Sequence, residues 1–154
     1  MIDLYSDTMT KPTAAMRQCM AAAEVGDEQK GEDPTVNRLQ DMVAELLGKE
    51  AAVYLPSGTM CNEISFAVWA PMGDEMILHR DAHPVHFEVG GPAYLARLML
   101  YPVDGPRGMF TAAQVEEAIR PESPHYPRSR SVEIENTHNV GGGSVWPLAQ
   151  LQFV

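Results

Sequence analysis

The sequence predicts an α/β domain in which a mainly parallel sheet is covered by helices. Four short segments, at 51–55, 75–79, 98–103 and 131–135, have the length expected of strands, and the apolar segment 51–55 is expected to be a buried one. Segments with helical spacing or helix-start signals alternate with these strands along the chain. This alternation favours parallel pairing, because a helix can carry the chain back from the end of one strand to the start of the next.

Start and stop signals predict where the first helices lie. Pro12 suits a first turn, so a helix is expected over 12–23. Asp33 can cap a second helix with Pro34 in its first turn, and Gly48 ends it. A third helix follows the sequence PSGT and continues to Trp69.

Two further helices are predicted between the later strands. One lies around 85–89 and is flanked by Pro84 and Pro92, and a proline in a helix interior would cost about 3 kcal/mol. The other begins at the capping box of Thr111 and Gln114. The residues from Pro147 onward indicate a helix that is only beginning, so the domain is expected to be incomplete.

Composition limits the classes of function. The length of 154 residues is that of one domain, so we expect a single domain over 1–154. The formal net charge of −10 argues against nucleic-acid binding, which needs clustered Lys and Arg. No run of about 18 apolar residues predicts a membrane span, and the start has no secretory-signal pattern. Cys19 and Cys61 have no CxxC partner, so we expect core thiols, no metal site and a cytoplasmic protein.

Ser57, Gly58 and Thr59 lie between a predicted strand and a predicted helix. A helix N-terminus carries free N–H groups and partial positive charge, so it attracts phosphate. Gly58 allows close approach to the backbone, and the two hydroxyls add donors. Plain helix capping explains the same residues, and the segment is neither a P-loop nor a GxGxxG fingerprint.

Other polar residues follow predicted strands, where ligands of open α/β sheets bind. His83 comes after the second strand and could stack on an aromatic cofactor or transfer a proton, although a surface histidine is the simpler interpretation. Asn136 and Thr137 follow the last strand, where turn formation is the alternative. His125 lies in a Pro-flanked loop, and Ser6 lies near the start, where both are otherwise ordinary loop residues.

Several motifs in order resemble the threonine aldolase family: SDTMTKP, GEDPTVNRLQ, LLGKEAAVYLPSGTMCN, DAH followed by FEVGG, and IENTHN. The similarity runs from Ile2 to about Leu151. It implies the N-terminal part of the large domain of aspartate-aminotransferase-like enzymes that use pyridoxal 5′-phosphate (PLP). In that topology the strand at 51–55 pairs with a late strand that is absent here, so the resemblance implies that 51–55 is unpaired or poorly ordered. It also implies cleavage of L-threonine or L-allo-threonine to glycine and acetaldehyde, hence a role in threonine catabolism and glycine biosynthesis, and a homo-oligomer, a dimer or tetramer.

The resemblance also implies residue roles. Gly58 and Thr59, with Ser57 beside them, would hold the PLP phosphate, and His83 would stack on the pyridine ring and assist proton transfer. His125 would approach the substrate hydroxyl, either in its own site or in that of a neighbouring subunit. Asn136 and Thr137 would lie near the cofactor, and Ser6 would contact the substrate carboxylate.

The sequence departs from the family in several places. The family's Asp-Gly-Ala-Arg segment and its cofactor-binding lysine are absent, and Lys11, Lys30 and Lys49 do not fit that lysine's context. Glu133 falls in a strand that relatives keep apolar, where a buried, unpaired carboxylate is costly or stays protonated. The alternatives are therefore a non-catalytic truncated remnant that at most pairs with other subunits, and a PLP lyase for another β-hydroxy amino acid.

Overall fold

The computed structural model describes residues 2, 3 and 5–154, and the chain divides into two compact units, 1–54 and 55–154. The first unit contains helix α1 (Ala14–Ala22) and helix α2 (Pro34–Leu47). Thr13 caps α1 by accepting the N–H of Met16, and Asp33 caps α2 with Pro34 in its first turn. The predicted helices of this region are thus confirmed.

The second unit contains a three-stranded sheet and five helices among its described residues. In chain order these elements are α3 (Gly58–Trp69), β1 (Glu75–His79), α4 (His83–His86), α5 (Gly91–Tyr94), β2 (Met99–Val103), α6 (Ala112–Ala118), β3 (Ser129–Val132) and α7 (Leu148–Leu151).

All pairing within this sheet is parallel, and the strand order is β2-β1-β3. The chain passes from β1 to β2 on one side of β1 and then crosses to β3 on the other side of β1. The crevice between the carboxyl ends of β1 and β3 is therefore a topological switch point, the place where open α/β sheets bind ligands. The predicted α/β class with parallel strands and flanking helices is confirmed.

The central strand β1 is buried along its whole length, and its side chains alternate between two apolar clusters. Met76 and Leu78 pack with Phe66 of α3 on one face. Ile77 points to the other face, where it packs in a cluster with Phe110 and with Val115 of α6. This two-sided burial explains why β1 is an almost continuous apolar run in the sequence.

Two sequence predictions need correction. Residues 51–55 do not form a buried strand: Val53 is 70% exposed, and the segment has no strand partner among the described residues. A strand needs such a partner to satisfy its backbone groups. The single helix expected at 85–89 is instead two short helices, α4 and α5. Pro84 and Pro92 each lie in a first turn, where no intrahelical hydrogen bond is lost.

Smaller differences concern strand β3 and the cysteines. β3 begins two residues earlier than predicted and ends at Val132, although the N–H of Glu133 still donates to the carbonyl of Ile77 at 2.8 Å. Both cysteines are free thiols in helices, but Cys19 is exposed rather than part of a core. Across residues 2–3 and 5–154, no helix has both the length and the apolar character required to span a membrane.

Candidate active site

The N-terminus of α3 lies at the same edge of the sheet as the carboxyl end of β1. Only five residues separate Trp69 from Glu75, and Phe66 packs against β1, so the helix runs back along the strand. The 12-residue helix spans about 18 Å and the five-residue strand about 16 Å, which brings the start of one level with the end of the other. Gly58 and His83 therefore share this edge.

The start of α3 presents unused backbone donors. Ser57 is the N-cap, and its hydroxyl accepts the N–H of Met60 at 3.1 Å. The N–H groups of Gly58 and Thr59 meet no acceptor within the described part of the chain. A Cβ added at Gly58 would meet only open space, so the protein's own packing does not require glycine there. These two amides and the Thr59 hydroxyl suit an anionic group.

His83 is held from two directions by carboxylates. Its backbone N–H donates to Glu135 Oε2 at 2.7 Å, and its Nδ1 lies 2.8 Å from Glu88 Oε1. The side chain is 37% exposed, and its ring lies 5.4 Å from that of Phe87. A carboxylate only accepts hydrogen bonds, so Nδ1 carries the proton and Nε2 keeps its lone pair when the ring is neutral.

Glu88 also binds α3. Its Oε1 accepts from Asn62 Nδ2 at 2.7 Å, so one oxygen lies between the helix and His83. Neither oxygen of the buried Glu63 meets a hydrogen-bond donor within the described residues. Burial raises the pKa of Glu63 to about 7, and a hydrogen bond to Glu88 and the charge of Glu88 act in the same direction. A protonated Glu63 can donate to Glu88, which resolves this otherwise unfavourable pair of carboxyls.

The residues after β3 complete the switch-point crevice. Glu135 accepts the N–H of Asn139 at 2.6 Å as well as that of His83. Asn136 Oδ1 accepts the N–H of Trp146 at 3.2 Å, which leaves its side-chain NH₂ group available, and Asn136 and Thr137 are both exposed. The structure thus brings Asn136 and Thr137 to the edge that carries His83.

Glu133 is the residue of this region whose ionisation is unfavourable in the folded chain, as the sequence indicated. Its pKa is raised to about 7, mainly by burial and also by the charges of Glu135 and Glu88, while His83 acts in the opposite direction. Its Oε2 has no hydrogen-bond partner among the described residues. A protonated Glu133 is therefore favoured up to neutral pH.

His125 does not join the other candidates in this chain. It lies in an exposed turn before β3, at the edge where the strands begin, and its backbone N–H donates to Ser123. Because the strands are parallel, about 16 Å of strand separates that edge from the carboxyl edge. Ser6 lies in the first unit, where its hydroxyl accepts a hydrogen bond from that of Thr8 at 2.9 Å.

Three residues of this network were not predicted from the sequence: Asn62, Glu63 and Glu88. One signal was available, because Asn62 and Glu63 interrupt a mainly apolar helix, GTMCNEISFAVW. Glu88 carried no such signal, since its contact with Asn62 joins residues that are 26 positions apart.

The sequence model of the family described as beta-eliminating lyase matches residues 3–154. The chain belongs to the beta-eliminating lyase family. Low-specificity L-threonine aldolase of Escherichia coli strain K12 is 44% identical over 153 residues, which are 99% of this chain and 45% of that protein. A probable low-specificity L-threonine aldolase of Arabidopsis thaliana is 42% identical over 99% of this chain and 44% of that relative.

The fold agrees with this assignment. The structure of a threonine aldolase from Leishmania major superposes with a TM-score of 0.69 at 22% identity, covering 84% of this chain and 38% of that one. The chain therefore corresponds to a portion of the threonine aldolase fold. It spans about 45% of the length of the curated relatives described above.

Proposed function

We propose that residues 55–154 supply part of the PLP site of a threonine aldolase-type aldehyde lyase, which cleaves L-threonine or L-allo-threonine to glycine and acetaldehyde. One observation carries the proposal: the free amides of α3 and the ring of His83 lie at one sheet edge and are linked through Glu88. The beta-eliminating lyases and threonine aldolases that resemble the chain depend on PLP.

The donor set of this chain fits the cofactor. A phosphate needs several N–H or O–H donors, which Gly58, Thr59 and the hydroxyl of Ser57 provide at a helix N-terminus. A flat aromatic ring needs a neighbouring face, which the partly exposed imidazole of His83 offers. The amide of Asn136 adds a donor at the same edge.

The reaction divides into roles for the cofactor and for the chain. When bound, PLP supplies an electron sink for the electron pair released as the Cα–Cβ bond breaks. His83 Nε2, with its lone pair free, accepts the proton of the substrate hydroxyl, directly or through water. We assign the substrate carboxylate to Ser6, and a second basic position to His125. His125 would serve the site of a neighbouring copy in a homo-oligomer, which we place in the cytoplasm.

The lysine content favours a second candidate for the chain on its own, a cofactor-binding but non-catalytic unit. Residues 55–154 contain no lysine, and the chain's three lysines are Lys11, Lys30 and Lys49. We expect reversible binding without covalent fixation by borohydride at the site.

Binding of pyridoxine 5′-phosphate tests the proposal, because this ligand has no aldehyde and cannot react with the three lysines. Intrinsic fluorescence of the purified chain reports the titration, with unphosphorylated pyridoxine as the control ligand. Gly58→Asp should weaken binding at least tenfold relative to Gly58→Asn, since the two side chains are alike in size but the carboxylate repels phosphate.

Asp is favourable in a first helical turn, so Gly58→Asp should not lower the melting temperature below that of Gly58→Asn. Equal affinities of the two variants, or equal binding of pyridoxine with and without its phosphate, would disprove the phosphate site. An unmodified chain that does not bind the phosphorylated ligand would do the same.

A further inference from the structure

We infer that Glu88 is a positioning residue that fixes the tautomer and orientation of His83, and that Asn62 and Glu63 of α3 hold Glu88 in turn. The proposed function above gives this arrangement its purpose, since it leaves Nε2 of His83 as the proton acceptor. The arrangement itself is a property of the unliganded chain.

The geometry supports a single orientation of the imidazole. Glu88 is 2% exposed, and one of its oxygens lies 2.8 Å from His83 Nδ1 and 2.7 Å from Asn62 Nδ2. Because the backbone N–H of His83 is bound to Glu135 at 2.7 Å, both the main chain and the ring are restrained. Rotation of the ring would break the only hydrogen bond that this buried oxygen makes outside α3 within the described part of the chain.

The packing of Glu63 against Gly91 places the Glu63 carboxyl near Glu88. Glu63 is 4% exposed, and a Cβ added at Gly91 would overlap the Glu63 carboxyl, so glycine allows the carboxyl to pack against the backbone of α5. Burial raises the pKa of Glu63 to about 7, and a protonated Glu63 can donate to Glu88, whose Oε2 has no other partner among the described residues. A proton on Glu63 therefore gives Glu88 a hydrogen-bond donor in place of a second buried negative charge.

This arrangement connects the phosphate donors at the start of α3 with the imidazole of His83, which transfers the proton. Asn62 and Glu63 lie about one turn after Gly58 and Thr59, on the same helix. Any shift of α3 therefore moves Glu88, and Glu88 moves the ring of His83. The imidazole is oriented by the helix that carries the phosphate donors.

Nitrogen NMR of the unliganded, ¹⁵N-labelled chain tests the inference at about pH 9, where ordinary imidazole is neutral. We expect His83 to show a protonated Nδ1 and an unprotonated Nε2, whereas solvent-exposed imidazole favours a proton on Nε2. His79 is an internal reference with the opposite tautomer, in which Nε2 carries the proton. Its Nε2 donates to the carbonyl of Gly105 at 3.0 Å, and its Nδ1 accepts the N–H of Asp81 at 3.1 Å.

Two substitutions separate positioning from simple structural support. Glu88→Gln keeps an oxygen that accepts from His83 and Asn62, so the Nδ1–H tautomer should persist. Glu88→Ala removes that oxygen, and the proton should move to Nε2 of His83 while the His79 pattern stays unchanged. If Glu88→Ala does not fold, the His79 pattern is lost and the unmodified chain and Glu88→Gln decide the question.

A proton on Nε2 of His83 in the unmodified chain would overturn the inference, as would an Nδ1–H tautomer that survives Glu88→Ala. These results are independent of cofactor binding. Failure of the pyridoxine phosphate titration would therefore leave the tautomer assignment intact, and failure of the tautomer assignment would leave the phosphate site intact.

Discussion

Replacing Glu133 by Gln should change how the stability of the chain depends on pH. Glu133 directly follows β3, beside a cleft lined by apolar residues that include Phe66, Trp69 and Ile134. Its Oε2 is buried without a partner among the described residues, and burial raises its pKa from 4.5 to about 7. The substitution keeps the size of the side chain and removes its ability to ionise.

The direction of this pH effect on stability follows from how many protons Glu133 binds in the folded and unfolded states. In the folded state Glu133 holds its proton up to about pH 7, while in the unfolded state it releases the proton near pH 4.5. The unfolded state therefore binds fewer protons in this interval, and the free energy of unfolding falls as pH rises. Between pH 5 and pH 8.5, this one group lowers the free energy of unfolding by about 2.5 kcal/mol.

Urea denaturation at pH 5 and pH 8.5 measures the effect. The change between the two pH values should be about 2.5 kcal/mol smaller in Glu133→Gln than in the unmodified chain. Taking this double difference cancels the titrating groups that do not interact with Glu133. Glu122→Gln is the matched control, because it removes an exposed carboxylate and should leave the pH dependence nearly unchanged.

A double difference below about 0.5 kcal/mol would refute the reasoning, because Glu133 would then ionise in the folded protein as it does in water. A double difference of opposite sign would mean that the folded state stabilises the carboxylate. In that case the burial and repulsion described for this residue could not dominate its environment.

Two further predictions concern stability. Gly108→Ala should lower the free energy of unfolding by about 1–3 kcal/mol more than Gly142→Ala. Both glycines have positive φ, so the backbone strain of the two substitutions is similar. A Cβ at Gly108 would overlap the ring of His138, whereas a Cβ at Gly142 would meet open space. Equal costs in chemical denaturation would remove the packing explanation. Thr111→Ala should lower the free energy of unfolding by about 1 kcal/mol, because Thr111 and Gln114 cap α6 reciprocally. Unaltered stability would show that this cap contributes nothing.

The alternation of elements and the helix caps were predictable because they depend on residues close together in the chain. The Asp33–Pro34 start of α2, the Ser57 cap of α3 and the capping box at Thr111 each use side chains within three residues of the helix start. β1 was predictable for a related reason: burial on both faces requires an apolar run, whatever its neighbours are.

The resemblance to threonine aldolases predicted more residues of the candidate site than the periodicity of the sequence could. Its roles for Ser57, Gly58, Thr59, His83, Asn136 and Thr137 remain predictions, although the structure places these residues at one sheet edge. The sequence also indicated that Glu133 would be a poorly placed carboxylate, and the raised pKa agrees. It suggested a strand at 51–55, which does not form, whereas the expectation that this segment would lack its partner strand agrees with its unpaired backbone among the described residues.

The amino-acid sequence by itself determined the α/β class, the family and the local starts of the helices. Only the tertiary structure decided that Glu88 lies between Asn62 and His83, that Glu135 holds the backbone of His83, and that two prolines fit into first turns. The physical reason is separation along the chain. Caps and periodicity act over a few residues, whereas these contacts join residues up to 52 positions apart and exist only after the strands have paired.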